Sequence, residues 1–211
     1  MISSKAVIIA MPYYIIVKVL LEYSRENIIV DSKKLLVLSD THGSVTALKA
    51  VLDWAKNRTP PNDSICCAAF LGDGISDLRP AADAAGFSCE WKIVGGNNDY
   101  GFSIPDAAVF EFGDHRFFMC HGHRYSLYGG YHTLIAAARN AGADAALFGH
   151  SHVPIIKNTD GILLINPGSV GRPRSKTGAT FAVVECIQGE PLKAEFWSIG
   201  ASGKIRELKT G

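Results

Sequence analysis

Leu35-Leu36-Val37-Leu38-Ser39-Asp40-Thr41-His42-Gly43 joins an apolar run of strand length to a polar turn, and the architecture of the whole chain follows from that junction. Four consecutive large aliphatic residues suit a strand buried on both faces, as in a parallel sheet. Val45, Leu48, Val51, Leu52 and Ala55 then recur at helical spacing behind Ser44, which stands where a capping hydroxyl would. Ile65 to Leu71 reads as a second buried strand. A short helix follows, with Asp77 at its cap and Pro80 in its first turn, and Trp91 to Val94 supplies a third strand. This β-α-β-α-β rhythm predicts a parallel or mixed sheet with crossover helices.

The second half of the chain changes character. Ala107 to Phe112 and Arg116 to Cys120 predict a hairpin around Gly113-Asp114, and Tyr131 to Ala141 a helix ended by Gly142. Further strands are expected at Asp144 to Phe148, Pro154 to Lys157, Ile162 to Ile165, Thr180 to Ile187 and Leu192 to Ile199, with turns at Asp160-Gly161 and Gln188-Gly189. So many late strands require a second sheet stacked on the first.

Composition narrows the function. The 211 residues carry 21 Lys and Arg against 20 Asp and Glu, which leaves no basic footprint for bulk nucleic acid. Cys66, Cys67, Cys89, Cys120 and Cys186 are odd in number, lie mostly in apolar runs and lack CxxC spacing; they read as free thiols of a cytoplasmic protein. Residues 1–33 differ in texture from the rest and are treated as an N-terminal extension, with the main domain at 34–211. Ala6 to Ala10 and Tyr13 to Leu21 are apolar, but Pro12 interrupts them and Lys18 charges them, so no comfortable membrane span results. Three readings of the extension stay open: an adventitious upstream segment, an extra docked helix, and a secretory or membrane anchor. The free thiols weigh against the third, and no membrane partner is expected.

Each strand predicted to close at Ser39, Leu71, Val94, Cys120 and Phe148 runs into a polar cluster: Asp40-x-His42, Gly72-Asp73, Gly96-Asn97-Asn98-Asp99, His121-Gly122-His123 and His150-Ser151-His152. The carboxyl ends of parallel strands share one rim, so five clusters are expected to converge. Alternation along an extended backbone would turn His150 and His152 toward one point, and likewise Asp40 and His42. Carboxylates, an amide and imidazoles without a thiolate suit manganese, iron, zinc, cobalt or nickel better than calcium. The donors outnumber the needs of one ion. Two cations about 3.5 to 4 Å apart are the usual device for phosphate-ester hydrolysis, because together they neutralise phosphoryl oxygens and generate hydroxide near neutral pH.

These clusters, in this order and approximate spacing, resemble those of the calcineurin-like metallophosphoesterases, and in particular the small bacterial and archaeal phosphodiesterases of that superfamily. Asn166-Pro167-Gly168-Ser169 with Arg172 and Arg174 is similar to their tail motif, and the likeness spans about residues 34 to 200. It implies an α/β/β/α sandwich of two sheets. It also implies two divalent ions, manganese first among the candidates, the first held by Asp40, His42, Asp73 and His152 and the second by Asp73, Asn97, His121 and His150, with Asp73 bridging. Gly43, Gly72, Gly96, Gly122 and Gly149 would supply the backbone freedom that turns beside such a pair need.

One departure bears on mechanism. Many relatives carry a histidine after the asparagine of the Gly-Asn motif, where it contacts phosphate and protonates the leaving group; here that position is Asn98. The small phosphodiesterase branch lacks it too. His123 is the candidate replacement, with Asp73 and Asn97 as the other catalytic residues and Asn98, Arg172 and Arg174 as the phosphate-binding set. Asp99 reads as a loop-fixing acceptor, Cys120 as core, and His115 and His132 as ordinary polar residues. Tyr125, Tyr128 and Tyr131 could wall the site or cover the sheet. The expected function is hydrolysis of small phosphate esters by a hydroxide shared between the ions. The alternatives are a protein phosphatase, or a scaffold like the retromer subunit that resembles the same branch. A homo-oligomer is left open.

Overall fold

The computed structural model describes residues 32–58 and 63–208, so the readings made for residues 1–31 lie outside the described residues. The first sheet has six strands in the order β11-β10-β9-β1-β2-β3. These are β1 (Ser32–Leu38), β2 (Ile65–Phe70), β3 (Glu90–Ile93), β9 (Ala179–Ile187), β10 (Lys193–Ile199) and β11 (Ile205–Leu208). The second sheet runs β4-β5-β6-β8-β7, from β4 (Ala107–Phe112), β5 (His115–Cys120), β6 (Ala145–Phe148), β7 (Ile155–Thr159) and β8 (Ile162–Asn166). Three helices complete the fold: α1 (Val45–Lys56), α2 (Ile75–Ala85) and α3 (His132–Asn140).

Side-chain alternation builds the layers. Along β1, Leu35 and Val37 face the second sheet and meet Phe117, Met119 and Leu147, while Leu36 and Leu38 face the other way into a cluster with Leu48, Leu52 and Leu78 of α1 and α2. On the second sheet, Phe118, Cys120, Ala146 and Phe148 point away from the first and pack against Leu134, Ile135 and Ala138 of α3. Helix, sheet, sheet and helix follow one another, which is the expected α/β/β/α sandwich. Strands β1, β2 and β3 pair in parallel, as do β5, β6 and β8. The carboxyl ends of β1, β2 and β3 therefore share a rim of one sheet, and those of β5 and β6 share a rim of the other.

Some local expectations need correction. Helix α2 begins at Ile75, so Pro80 lies inside it and Asp77 stands in its first turn rather than at its cap. Ser44 occupies the N-cap of α1 without making a side-chain cap bond. Strand β1 starts at Ser32, two residues into the stretch treated as an extension. Strand β11 was not anticipated: Ile205-Arg206-Glu207-Leu208 is short and carries two charges, the composition of a protected sheet edge.

Phe117 is fully buried and lies between Phe110, stacked at 5.3 Å, and Phe112, edge-on at 6.5 Å. Phe117→Ala should lower unfolding free energy by about 3–5 kcal/mol. Val109→Thr, at a side chain 41 % exposed on the same hairpin, should stay within about 0.5 kcal/mol. Urea unfolding of the two variants measures both.

Candidate metal centre

Asp40, His42, Asp73, His150 and His152 leave their strands with positive φ, between 46° and 64°, and they are five of the seven non-glycine residues in that state among the described residues. Left-handed backbone costs a residue with a β-carbon on the order of 1–3 kcal/mol, so this strain is concentrated at the rim. It also replaces the extended alternation expected from sequence. His150 and His152 consequently do not meet at one point. His152 Nε2 lies 3.1 Å from Asp40 Oδ1 and 3.2 Å from His42 Nε2, whereas the His150 ring sits 5.1 Å from that of His121.

Close backbone approach makes this convergence work. A β-carbon on Gly149 would lie 2.0 Å from Ser39 Oγ and 2.9 Å from Asp40 Oδ2, and one on Gly96 would lie 2.1 Å from Asp73 Oδ1. Only glycine lets these loops pass so near the carboxylates.

Asp40 is fully buried. Its Oδ2 accepts from Ser39 Oγ at 2.6 Å and from the His150 N–H at 3.1 Å. Its Oδ1 has no hydrogen-bond partner and faces His152 at 3.1 Å, His42 at 3.7 Å and His121 at 4.0 Å. Asp73 Oδ2 lies 3.7 Å from His42 Nε2 and 3.5 Å from His121 Nε2. Both carboxylates thus stand between the imidazoles of the two sheets. Two donor triads result, Asp40 with His42 and His152, and Asp40 with Asp73 and His121.

Burial would raise the Asp40 pKa, but His152, His42, His121 and the Ser39 hydroxyl outweigh it and hold the carboxyl well below its usual range. Asp73 is likewise brought down to about 2, against burial, by His121 and Asn98. The imidazoles respond in kind. His121 and His152 move above the ordinary histidine value because, despite burial, Asp73 and Asp40 favour their protonated forms. His150 and His123 move below it, through burial and the neighbouring His121.

The histidine tautomers are set from behind. His121 Nδ1–H donates to the Leu71 carbonyl at 2.7 Å and His152 Nδ1–H to that of Arg172, so each Nε2 is turned toward the carboxylates. His121 Nε2, Asn97 Oδ1 and Asp40 Oδ1 are all buried without a hydrogen-bond partner. Orphaned buried polar atoms are costly in an ordinary core. His121 Nε2 lies 4.0 Å from Asp40 Oδ1, and with the carboxylates and imidazoles of the two triads these nitrogen and oxygen donors suit a divalent cation; the residues present fit one.

Around this centre, carboxylates organise backbone. Asp99 accepts N–H groups from Asp73, Gly74, Ile75 and Gly96 at 2.6–2.9 Å, fixing the Asp73 turn and the start of α2 together. Asp77 accepts from Thr41 Oγ1 at 2.5 Å and the Gly43 N–H at 2.8 Å, locking the turn that carries His42. Asn166 Nδ2 donates to the Gly149 carbonyl and Ser151 Oγ, and Ser169 Oγ to the Asp40 carbonyl. Asn166-Pro167-Gly168-Ser169 is therefore the brace of the histidine loops, a role the sequence did not disclose.

A cleft of about 420 Å³ opens above the donors, lined by His42, Asp73, Asn97, Asn98, His150, His152, Arg172, Pro173 and Arg174. The side chain of Asn98 lines the cleft and donates to Asp73 Oδ2 at 2.5 Å. His123 sits beside His121 and His150, with its rings 5.5 and 6.2 Å from theirs and its Nδ1 buried and unpartnered. His115 bonds to the Glu190 carbonyl at the far end of β5, and His132 starts α3 exposed; neither joins the centre. Tyr125 and Tyr131 cover the sheet against Phe118 and Phe148. Tyr128 does not.

Residues 34–189 match the model of the calcineurin-like phosphoesterase superfamily domain. "Probable metallophosphoesterase YsnB" of Bacillus subtilis is 29% identical over 175 residues, 82% of this chain and 95% of that protein. Phosphodiesterase YfcE of Escherichia coli K12 is 24% identical over 168 residues, 72% and 87% of the two chains. Among solved structures, a predicted phosphoesterase from Streptococcus pneumoniae TIGR4 superimposes with TM-score 0.66 at 24% identity, covering 84% of this chain and 97% of that one. Vps29 of Entamoeba histolytica, complexed with zinc, does so with TM-score 0.66 at 21% identity, covering 83% and 97%. The chain belongs to the calcineurin-like phosphoesterase superfamily and is a metallophosphoesterase.

Proposed function

We propose that this chain is a phosphodiesterase that works with two divalent ions. Asp40, His42, Asp73 and His152 would hold the first ion, and Asp73, Asn97, His121 and His150 the second, with Asp73 shared. The observation that carries this reading is the trio of buried, unpartnered polar atoms, Asp40 Oδ1, Asn97 Oδ1 and His121 Nε2, contributed by both sheets. When bound, such ions supply a hydroxide nucleophile near neutral pH and charge to neutralise the phosphoryl oxygens.

The remaining work falls to the chain itself. Arg172 and Arg174 border the cleft, and their guanidinium groups have no carboxylate partner among the described residues. They are placed to take the phosphoryl oxygens as charge-assisted donors. Their backbone is tied down, the Arg172 N–H to Ser169 Oγ at 2.7 Å and the Arg174 N–H to the His152 carbonyl at 3.2 Å. Leaving-group protonation is where the site is thin. Asn98 cannot serve as an acid, and burial with the neighbouring His121 moves the His123 pKa below the ordinary histidine value, away from what a general acid needs. General-acid help contributes about 10²- to 10⁴-fold, so the preferred substrates are diesters with good leaving groups. The Vps29 likeness leaves a scaffold as the second reading, since the two classes share the fold.

Full-length protein loaded with manganese or nickel should hydrolyse bis-p-nitrophenyl phosphate, and a chelator should stop it; inactivity on every ester with every metal would favour the scaffold. Asp73→Asn removes the shared charge and should lower both metal content and rate by at least tenfold, measured by elemental analysis and initial rates. Because His121 and His152 hold protons above the usual histidine range, metal binding at pH 7 should release protons and affinity should fall from pH 8 to pH 6. Calorimetry in two buffers of different ionisation enthalpy reads this directly.

A further inference from the structure

Tyr128 is the residue the metal chemistry leaves unexplained. Its side chain is 77 % exposed, yet it stands in a well-anchored 3-10 turn, Leu127–Gly129. Leu127 beside it is buried among the residues under α3. The Gly129 N–H bonds to the Ser126 carbonyl and the Gly130 N–H to that of Leu127, and Ser126 holds a φ of 49°. A turn held at both ends and strained at its entry fixes the point from which Tyr128 leaves the backbone. Its surroundings belong to the cleft. The ring centroid lies 6.3 Å from that of His150, inclined by 64°, and Arg174 Nη1 donates to the phenol oxygen at 3.4 Å.

A phosphodiester presents two ester arms, and only the phosphoryl group is accounted for by Arg172, Arg174 and the donors below. One arm must leave the cleft past its lip. On the His150 side, next to the lining residues His150 and Arg174, stands the exposed aromatic face of Tyr128 with a guanidinium beside it, the two side-chain types that stack on planar rings. An aliphatic arm would gain little from such a wall. A flat ring would cover the exposed phenol while its phosphate stays within reach of the arginines.

We propose that Tyr128, steadied by Arg174, is a stacking wall that selects phosphate esters bearing a planar aromatic arm, a nucleobase or an aryl group. This rests on the phosphoesterase reading of the same site and adds its substrate class. Tyr128 is a specificity residue here and takes no part in bond breaking.

The test reads binding apart from turnover. Calorimetry on the metal-loaded full chain compares phenyl phosphate, thymidine 5′-monophosphate and methyl phosphate, for wild type, Tyr128→Ala and Tyr128→Phe. Wild type should bind at least one aromatic ester about tenfold more tightly than methyl phosphate, the size expected of one stacked ring. That ratio should fall to near one in Tyr128→Ala and survive in Tyr128→Phe; which aromatic ester gains more separates nucleobase from aryl recognition. Equal binding of aromatic and methyl phosphates by wild type, or a ratio unchanged in Tyr128→Ala, overturns the proposal. Stacking without hydrolysis of any ester would instead overturn the phosphodiesterase reading and leave the aromatic wall standing.

Discussion

A carboxylate sealed from water demands compensation, and Asp40 is sealed completely. One oxygen is satisfied by Ser39 and the His150 backbone; the other faces three imidazoles and no hydrogen-bond partner. Around that oxygen the fold brings together loops that are far apart in sequence. The Asn166 to Gly171 segment bonds to the carbonyls of Ser39, Asp40 and Gly149, so the last part of the chain to cross the rim ties down the first. Removing positive charge from this pocket would leave the buried oxygen uncompensated, a heavier penalty than the loss of a surface pair.

Much of this was legible because two signals coincide in the sequence. Buried strands announce themselves as apolar runs, and each relevant run stops at a residue able to bind a metal, so the architecture and the identity of the clustered residues could both be read. The direction of the side chains could not. Asp40, His42, His150 and His152 turn through left-handed backbone, and although aspartate and histidine enter that region several-fold more often than most residues, they do so too rarely for their identity alone to overrule an extended reading. Strain of this kind is sustained by surrounding contacts that form only once both sheets are in place.

The same limit explains the supporting residues. Asp99 could be foreseen as a loop-fixing acceptor because it follows the Gly-Asn turn, but that it gathers four N–H groups depends on α2 arriving from the preceding loop. Asp77 looked like a cap because an aspartate precedes a proline at helical spacing. In the fold Gly74 takes the cap, and Asp77 reaches across to Thr41 and Gly43 instead. Tyr125, Tyr128 and Tyr131 were indistinguishable by spacing. Only the 3-10 turn at Leu127–Gly129 separates the exposed ring from the two that lie on the sheet.

The candidate donors divide by layer: Asp40, His42, Asp73 and Asn97 follow strands of the first sheet, while His121, His150 and His152 follow strands of the second. Cations gripped by both groups would act as rivets through the seam of the sandwich, resisting shear of one sheet over the other. The rim that performs chemistry would then also be the fastener that keeps the two halves in step.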